Sequence, residues 1–245
     1  MVFPKGGGIP ARLRHAARLA VDTLLPPTCP GCDRELSEGR WLCGVCRRAL
    51  RPAPLRPLCP ACRAAQRGAG NREAGLDCRD PDHRGWRGAA AYWMEDPLAA
   101  VIHRFKYGDS PHLAEPLAGL VARRLPPPSA HGVLAVPLHP TRRRERGYDQ
   151  AELLARALAS RWGLPYVPGV VARRRSTRAQ ARLPESRRLA NVAEAFSVAQ
   201  PGWVEGRVWV VVDDVITTAS TTGSVLSVLR VAGASGAVPV ALALA

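Results

Sequence analysis

Two adjacent carboxylates and a run of hydroxyl side chains lie close together near the end of the chain. Asp213 and Asp214 follow a run of valines, and the sequence then continues into Thr217, Thr218, Ala219, Ser220 and Thr221. A valine run of this kind is typical of a parallel strand buried on both faces, and apolar residues at helical spacing resume at 225. We therefore expect the acids, partly solvated, at the carboxyl end of a strand, where open α/β sheets place their ligands. The hydroxyl run would form a tight turn at a helix N-terminus, where N–H groups can hold a phosphate.

Carboxylates beside a phosphate-binding turn are explained if the phosphate belongs to a sugar. Asp213 and Asp214 could accept hydrogen bonds from two vicinal ribose hydroxyls while the turn holds the 5-phosphate. The row at 213–221 resembles the type I phosphoribosyltransferase signature, Asp-Asp-x-x-Thr-Thr-Gly-x-Thr. Ala219 stands where that signature has glycine, and its Cβ would cost roughly 1 kcal/mol if the turn needs a positive φ. The alternative is a solvated acid pair at a strand edge.

All seven cysteines lie between residues 29 and 78, mostly in Cys-x-x-Cys pairs. With one histidine they make eight candidate metal ligands: Cys29, Cys32, Cys43, Cys46, Cys59, Cys62, Cys78 and His83. Thiolates at this spacing bind tetrahedral zinc, and eight ligands complete two sites. We expect the first four residues on one ion and the last four on the other. Interleaved pairing, and Asp80 or Asp82 in place of His83, are alternatives. Disulfides are disfavoured because we find no secretion signal.

The net charge of +15 is concentrated in the middle of the chain. Residues 138–188 contain 13 arginines and four acids, so this region would attract a polyphosphate or a nucleic-acid backbone.

No apolar stretch is long enough for a transmembrane helix. The helical stripe at 12–25 is interrupted by Asp22, which argues against a signal peptide. Cysteines used as reduced metal ligands then imply a cytoplasmic protein.

Alternating strands and helices are expected after residue 87. Helical periodicity covers 113–125 and 150–162, and strands are predicted at 132–139, 169–172, 207–212 and 237–244. This alternation predicts an α/β fold in which helices flank a parallel sheet. Residues 173–189 are polar and basic and predict a long mobile loop. We divide the chain into an N-terminal helix (1–25), a double zinc ribbon (26–86) and a sheet domain (87–245).

Further motifs connect the two parts of the chain to one family. They are Phe-Lys-Tyr-Gly at 105–108, Val-Pro-Leu-His at 136–139, Arg-Arg-Arg-Glu-Arg-Gly-Tyr-Asp-Gln at 142–150, Thr177 with Gln180, Asn-Val at 191–192 and Ala-Phe at 195–196. In this order, with the acid motif, they resemble the competence protein F family over 26–245. The resemblance implies a double zinc ribbon joined to a type I phosphoribosyltransferase-like domain, and an association with DNA uptake and transformation. His83 stands where that family usually has cysteine.

The resemblance also implies substitution at the anomeric carbon of 5-phosphoribosyl-1-pyrophosphate, with pyrophosphate leaving. Asp213 and Asp214 would hold the ribose hydroxyls and a hydrated Mg²⁺ ion. The hydroxyl run at 217–221 would bind the 5-phosphate. The turn after Pro137, with His139, Arg142, Arg143 and Arg144, would face the pyrophosphate. Three residues further along could close over it as a lid: Arg173, Arg175 and Gln180. Lys106 would also have a role in the active site.

Two functions of different classes fit these features. In the first, the protein binds phosphoribosyl pyrophosphate with Mg²⁺ and transfers the phosphoribosyl group to an unidentified acceptor. In the second, it handles single-stranded DNA during uptake and uses the same fold without catalysis. An aromatic content of 5% is low for a platform that stacks bases, although Trp86, Trp93 and Tyr148 lie near basic residues.

Overall fold

The computed structural model describes residues 27–37, 39–65, 75–76, 78–173 and 195–245. The helix predicted at 12–25 lies outside these residues. So does nearly all of the loop predicted at 173–189, including Arg175 and Gln180. The domain boundaries drawn from the sequence stay predictions. Within the described residues, no helix is long and apolar enough to cross a membrane.

A four-stranded parallel sheet lies at the centre of the fold. The strands of the protein are β1 (Ala89–Trp93), β2 (Gly132–Ala135), β3 (Val171–Arg173), β4 (Phe196–Val198), β5 (Val208–Ile216) and β6 (Gly236–Leu244). The order in the sheet is β1–β6–β5–β2, and all pairs are parallel. Val212 of β5 lies opposite Val240 of β6 in the middle of the sheet. The sheet and its flanking helices confirm the predicted fold class.

Helices cover both faces of the sheet. They are α1 (Gly44–Ala49), α2 (Pro60–Ala65), α3 (Leu98–Tyr107), α4 (Ala114–Arg124), α5 (Pro140–Arg146), α6 (Gln150–Trp162) and α7 (Ser220–Val231). Val210 and Val212 of β5 pack in a core with α3, α4 and α6, whereas Trp209 and Val211 pack in a second core with α7. Short 3₁₀ helices span Pro81–Trp86, Pro111–Leu113 and Pro201–Trp203. Because both faces of β5 are covered, residues 208–212 are apolar without alternation.

One predicted strand lies outside the main sheet. The sequence places a strand at 169–172, and β3 forms there, but it pairs antiparallel with β4. Val171 and Phe196 of this hairpin pack in the second core, beside α7. The hairpin therefore covers the face of β5 on which Trp209 and Val211 lie.

The cysteine-rich part packs along the β1 edge of the sheet and against the carboxyl end of its middle strands. Leu58 exchanges backbone hydrogen bonds with Gly88, which precedes β1, at 2.7 and 2.8 Å. A third core then unites Leu58 and Leu76 of the cysteine-rich part with Ile216, Ala219 and others at the end of the sheet. The two parts meet where open α/β sheets bind their ligands.

Candidate functional site

The two acids of β5 face opposite sides of the sheet. Since successive side chains of a strand alternate, Asp214 faces the layer of α3 and Asp213 the layer of α7 and the β3–β4 hairpin. The charged neighbours are consistent with this. Lys106 of α3 pairs with Asp214, whereas the charge of Asp213 raises the pKa of Arg173 in β3. The acids are therefore two different groups, although the sequence interpretation gave them one role.

Asp214 forms a buried ion pair with Lys106. Lys106 Nζ lies 3.0 Å from Asp214 Oδ1, and the Asp214 side chain is only 4% exposed. Its other oxygen, Oδ2, has no hydrogen-bond partner among the described residues. The expectation that both acids are partly solvated is wrong for Asp214, because β5 continues to Ile216 and keeps this residue inside the sheet.

Lys106 is held at the site by its neighbour in the sequence. Phe105 is completely buried in the core between α3 and the sheet. Burying a side chain of this size contributes about 1.5–3 kcal/mol, which fixes the last turn of α3. Nothing in the local sequence connects Lys106 with Asp214, so this ion pair could not be predicted.

Asp213 is a half-buried carboxylate whose negative charge is only partly balanced by neighbouring groups. Burial and the neighbouring charge of Asp214 raise its pKa well above the ordinary value, and Lys106 only partly opposes this. The N–H of Asp214 donates to Asp213 Oδ1 over 2.9 Å. A carboxylate in such surroundings gains free energy from a bound cation or from hydroxyl donors.

The turn predicted to bind phosphate connects β5 with α7. Ala219 precedes the helix with φ 58° and ψ 7°, so this position needs the left-handed backbone that the glycine of the signature provides. The conformation costs roughly 1 kcal/mol in an L-residue. Ala219 is also buried in the third core, where its methyl regains about 0.8 kcal/mol. The two contributions nearly cancel, which explains why alanine is tolerated.

The turn presents hydrogen-bond donors at the start of a helix. Ala219 has no side chain that could cap the first N–H groups of α7. The hydroxyls of Thr218 and Ser220 lie 3.1 Å apart. Uncapped N–H groups, hydroxyls and the positive end of a helix dipole form a phosphate-binding arrangement.

A second turn, after β2, is fixed by one buried acid. Asp149 Oδ2 accepts from the N–H of Leu138 at 2.9 Å, and Oδ1 caps α6 by accepting from the N–H of Ala151 at 3.0 Å. His139 caps α5, its Nδ1 accepting from the N–H of Thr141 at 3.2 Å. Burial raises the pKa of Asp149. The sequence analysis missed Asp149, although an aspartate before a helical apolar pattern is a capping signal.

The motifs at 105–108 and 142–150 meet in space. Tyr148 Oη donates to the carbonyl of Phe105 over 2.5 Å and accepts from the N–H of Ser110 at 3.3 Å. Arg146 lies over the ring of Tyr107, 4.6 Å from its centroid, and donates to the Tyr107 hydroxyl. These contacts hold α5 against the end of α3.

An open groove of about 630 Å³, which we call the basic groove, runs between α3 and α5. Its lining residues carry a surplus of positive charge and are Lys106, Tyr107, Asp109, Arg142, Arg144, Glu145, Arg146 and Gly147. Arg143 instead pairs with Glu152 of α6 at 3.3 Å. Because Lys106 also contacts Asp214, the groove adjoins the acids of β5.

Arg173 approaches the site from the β3–β4 hairpin. Its guanidinium lies over the ring of Phe196, 5.2 Å from the centroid. Burial and the charge of Arg142 lower its pKa, whereas Asp213 raises it. The charges of Arg142 and Asp213 therefore both act on Arg173.

The first cysteine cluster contains Cys29, Cys32, Cys43 and Cys46. Cys32 Sγ and Cys43 Sγ are 3.7 Å apart, which fits the separation of about 3.8 Å between sulfurs of a tetrahedral zinc site. The N–H of Cys46 donates to Cys43 Sγ at 3.4 Å. This hydrogen bond is the main cause that lowers the pKa of Cys43 to about 6, so this sulfur readily becomes a thiolate.

The second cluster contains Cys59, Cys62, Cys78 and His83. His83 Nδ1 lies 3.6, 3.7 and 3.6 Å from the three sulfurs, close to the value of about 3.5 Å that zinc geometry requires. Asp80, the alternative ligand, caps the following 3₁₀ helix by accepting from the N–H of Asp82. The donor sets therefore fit zinc in the sequential grouping favoured by the sequence.

Purified protein is expected to contain about two zinc ions per chain, because each cluster offers one complete tetrahedral ligand set. His83→Ala should release the second ion and Cys29→Ser the first, each variant keeping the other. Metal analysis of the parent and both variants measures this. One ion or none in the parent, or loss of both from either variant, would contradict two independent sites.

Several known proteins are similar to parts of this chain. A family model described as the double zinc ribbon domain matches residues 20–80. Glutamine phosphoribosylpyrophosphate amidotransferase from B. subtilis is 26% identical, with a TM-score of 0.37, over 56% of this chain and 26% of that enzyme. Competence protein F of Haemophilus influenzae is 35% identical over 149 residues, which are 56% of this chain and 64% of that protein.

The match to another relative extends over nearly its whole length. The DNA utilization protein YhgH of Escherichia coli K12 is 33% identical over 227 residues, which cover 86% of this chain and 94% of that protein. The chain therefore belongs to the competence protein F (ComF) family, which includes the DNA utilization protein YhgH.

Proposed function

We propose that the protein binds 5-phosphoribosyl-1-pyrophosphate, together with Mg²⁺, at the carboxyl end of β5. The observation that carries the proposal is the turn at Ala219. Its left-handed backbone matches the requirement of the phosphoribosyltransferase signature, even though the signature residue is replaced. The uncapped start of α7 and the carboxylate of Asp213 flank this turn, so phosphate and sugar could bind side by side.

Different residues around the turn would bind different parts of the ligand. The hydroxyls and N–H groups at 217–221 would hold the 5-phosphate. Asp213, on the same face of the sheet, would accept hydrogen bonds from the ribose hydroxyls. Arg142 and Arg173 lie near Asp213 and would approach the pyrophosphate. Lys106 would orient Asp214 and contribute positive charge to the same region.

The carboxylates also fit a magnesium ion. Mg²⁺ prefers oxygen ligands and binds through one or two carboxylates plus substrate phosphates. Burial and the charge of Asp214 raise the pKa of Asp213, which a bound cation would oppose, and Asp214 Oδ2 is buried with no partner in the described part of the chain. When bound, the ion would neutralise charge on the departing pyrophosphate. The side chains of Arg142 and Arg173 would also neutralise charge on the departing pyrophosphate.

Transfer to an acceptor is the reaction that such a complex supports. The bond between the anomeric carbon and pyrophosphate breaks, and an acceptor atom forms the new bond at that carbon. Positive charge develops on the ribose in between, and Asp213 would stabilise it. The acceptor itself stays unidentified.

A second candidate function is the handling of single-stranded DNA. The basic groove supports it, because arginines and Lys106 line a channel beside Tyr107, whose side chain is 63% exposed. A cationic channel with an exposed aromatic ring suits a sugar–phosphate backbone with unstacked bases. The names of the relatives, DNA utilization protein and competence protein F, point in the same direction.

Titration calorimetry distinguishes the two functions. The first predicts saturable binding of phosphoribosyl pyrophosphate that strengthens with Mg²⁺. The second predicts binding of an oligothymidylate that weakens steeply as salt rises, because counterions are released. Absence of phosphoribosyl pyrophosphate binding, with and without Mg²⁺, would overturn the first function.

A further inference from the structure

A buried arginine of the cysteine-rich part reaches the phosphate turn. Arg63 lies in α2, directly after Cys62, and is only 5% exposed. Its Nε donates to the carbonyl oxygen of Thr217 over 2.6 Å. Its Nη2 donates to the backbone oxygen of Ala245, which follows β6. One side chain thus connects the helix of a candidate zinc ligand with the first residue of the turn.

The backbone around Arg63 is fixed by the second cysteine cluster. The N–H of Arg63 donates to the carbonyl of Cys59 at 3.0 Å, and the N–H of Cys59 donates to Gly75 at 2.8 Å. A Cβ on Gly75 would lie 2.6 Å from that Cys59 carbonyl and 2.8 Å from Arg63 Cβ. Gly75 therefore packs directly against the start of α2, in which a metal ion bound by Cys59 and Cys62 would hold the same turn.

The hydrogen bond to Thr217 has a directional consequence. In a trans peptide the carbonyl and the following N–H point in opposite directions. Arg63 draws the Thr217 carbonyl toward the cysteine-rich part, so the N–H of Thr218 points away from it, into the turn. A single side chain thereby sets the orientation of a candidate phosphate donor.

We infer that Arg63 is a positioning residue through which the second zinc site sets the conformation of the phosphate turn. The identity of the ligand rests on the proposed function. The coupling between the second zinc site and the conformation of the turn does not depend on which ligand binds. Loss of the second metal ion would free α2, displace Arg63 and loosen the turn, although no ligand of that ion is part of the turn. The first cluster, which lies on other segments, would have no such effect.

Arg124 provides a matched control. It is also partly buried and also joins the two parts of the chain through backbone carbonyls. It donates to Ala53 at 2.8 Å and to Ala91 at 3.3 Å. These contacts lie near β1 and do not involve the turn, so Arg124→Met removes a connection of the same kind without touching residues 217–221.

Hydrogen exchange of the hydrogen-bonded amides that follow the turn, from Gly223 on, tests the coupling without any ligand, since the N–H of Gly223 donates to the carbonyl of Ala219 at 2.7 Å. Arg63→Met and His83→Ala should each speed their exchange by about tenfold or more, whereas Arg124→Met and Cys29→Ser should leave it unchanged. Arg63→Lys, which keeps one donor, should give an intermediate rate and also covers the case in which Arg63→Met does not fold. Unchanged exchange in Arg63→Met, or in Arg63→Lys if only that variant folds, would overturn the inference. Equal acceleration in Arg124→Met would do the same.

Affinity for phosphoribosyl pyrophosphate with Mg²⁺ provides the second measurement. If the parent binds, Arg63→Met should bind about tenfold more weakly, the equivalent of one lost hydrogen bond in the site, while Arg124→Met should match the parent. Equal binding by Arg63→Met would overturn the inference and leave the proposed function standing. If the parent does not bind, the proposed function fails, and the exchange rates alone decide about Arg63.

Discussion

Replacing Asp213 and Asp214 together by asparagine is expected to weaken the binding of phosphoribosyl pyrophosphate by at least about tenfold. Each lost charge-assisted hydrogen bond costs roughly 1.5–3 kcal/mol, and asparagine keeps the shape but not the charge. Most of the loss should come from Asp213, which faces the turn, and not from Asp214, which faces Lys106. Titration calorimetry on the two single variants and the double variant measures this difference.

A control with the same change in net charge separates local from global electrostatics. Asp33 and Glu95 form ion pairs with Arg104 and Arg51, away from the turn. Asp33→Asn combined with Glu95→Gln should therefore bind as the parent does. If the Asp213 and Asp214 variants also bind as the parent does, the acids are not the sugar site, and single-stranded DNA handling becomes the better proposal.

Lys106→Met is expected to destabilise the protein by roughly 3 kcal/mol. The substitution leaves Asp214, almost fully buried, without its cation, and an uncompensated buried charge costs about 3–5 kcal/mol. We expect the lower end of this range because the lysine side chain is still 21% exposed, so water can reach the pair. Denaturant unfolding of the zinc-loaded protein measures the change.

The double variant Lys106→Met with Asp214→Asn completes the test. Removing both charges should recover most of the lost stability, since a neutral amide beside a methionine leaves no buried ion. Recovery with continued loss of ligand affinity would separate the stabilising role of the pair from its role at the site. A double variant as unstable as Lys106→Met alone would mean that the cost arises from packing of the lysine stem.

Sequence patterns predicted those parts of the structure that form through contacts between residues close together in the chain. The helix at 150–162 was predicted from its apolar stripe at the bounds it has, which the structure shows to be set by the Asp149 cap and the Gly163 stop beside it. The Cys-x-x-Cys pairs predicted two groups of ligands for a similar reason. A knuckle brings two sulfurs together through neighbouring residues alone.

The rest of the site depends on contacts between distant residues. Lys106 contacts Asp214, and Arg63 contacts Thr217, although more than a hundred residues separate the members of each pair. The spacing of apolar residues in the sequence does not predict contacts of this kind. The strand at 169–172 was found, but its partner was not, because β-pairing is decided by packing and not by the strand's own sequence. The difference between Asp213 and Asp214 also required the three-dimensional fold, since it depends on how far β5 continues.

The strand order has a consequence for synthesis on the ribosome. β1 is made early and hydrogen-bonds along one edge to residues 51–53, but β6, its partner in the described sheet, is made more than 140 residues later. At a translation rate of about 5–20 residues per second, β1 and the cysteine-rich part wait roughly 7–30 seconds for the strand that covers them. Metal binding by local cysteine pairs needs no such wait. The zinc sites can therefore keep the first part of the chain folded while the sheet is incomplete.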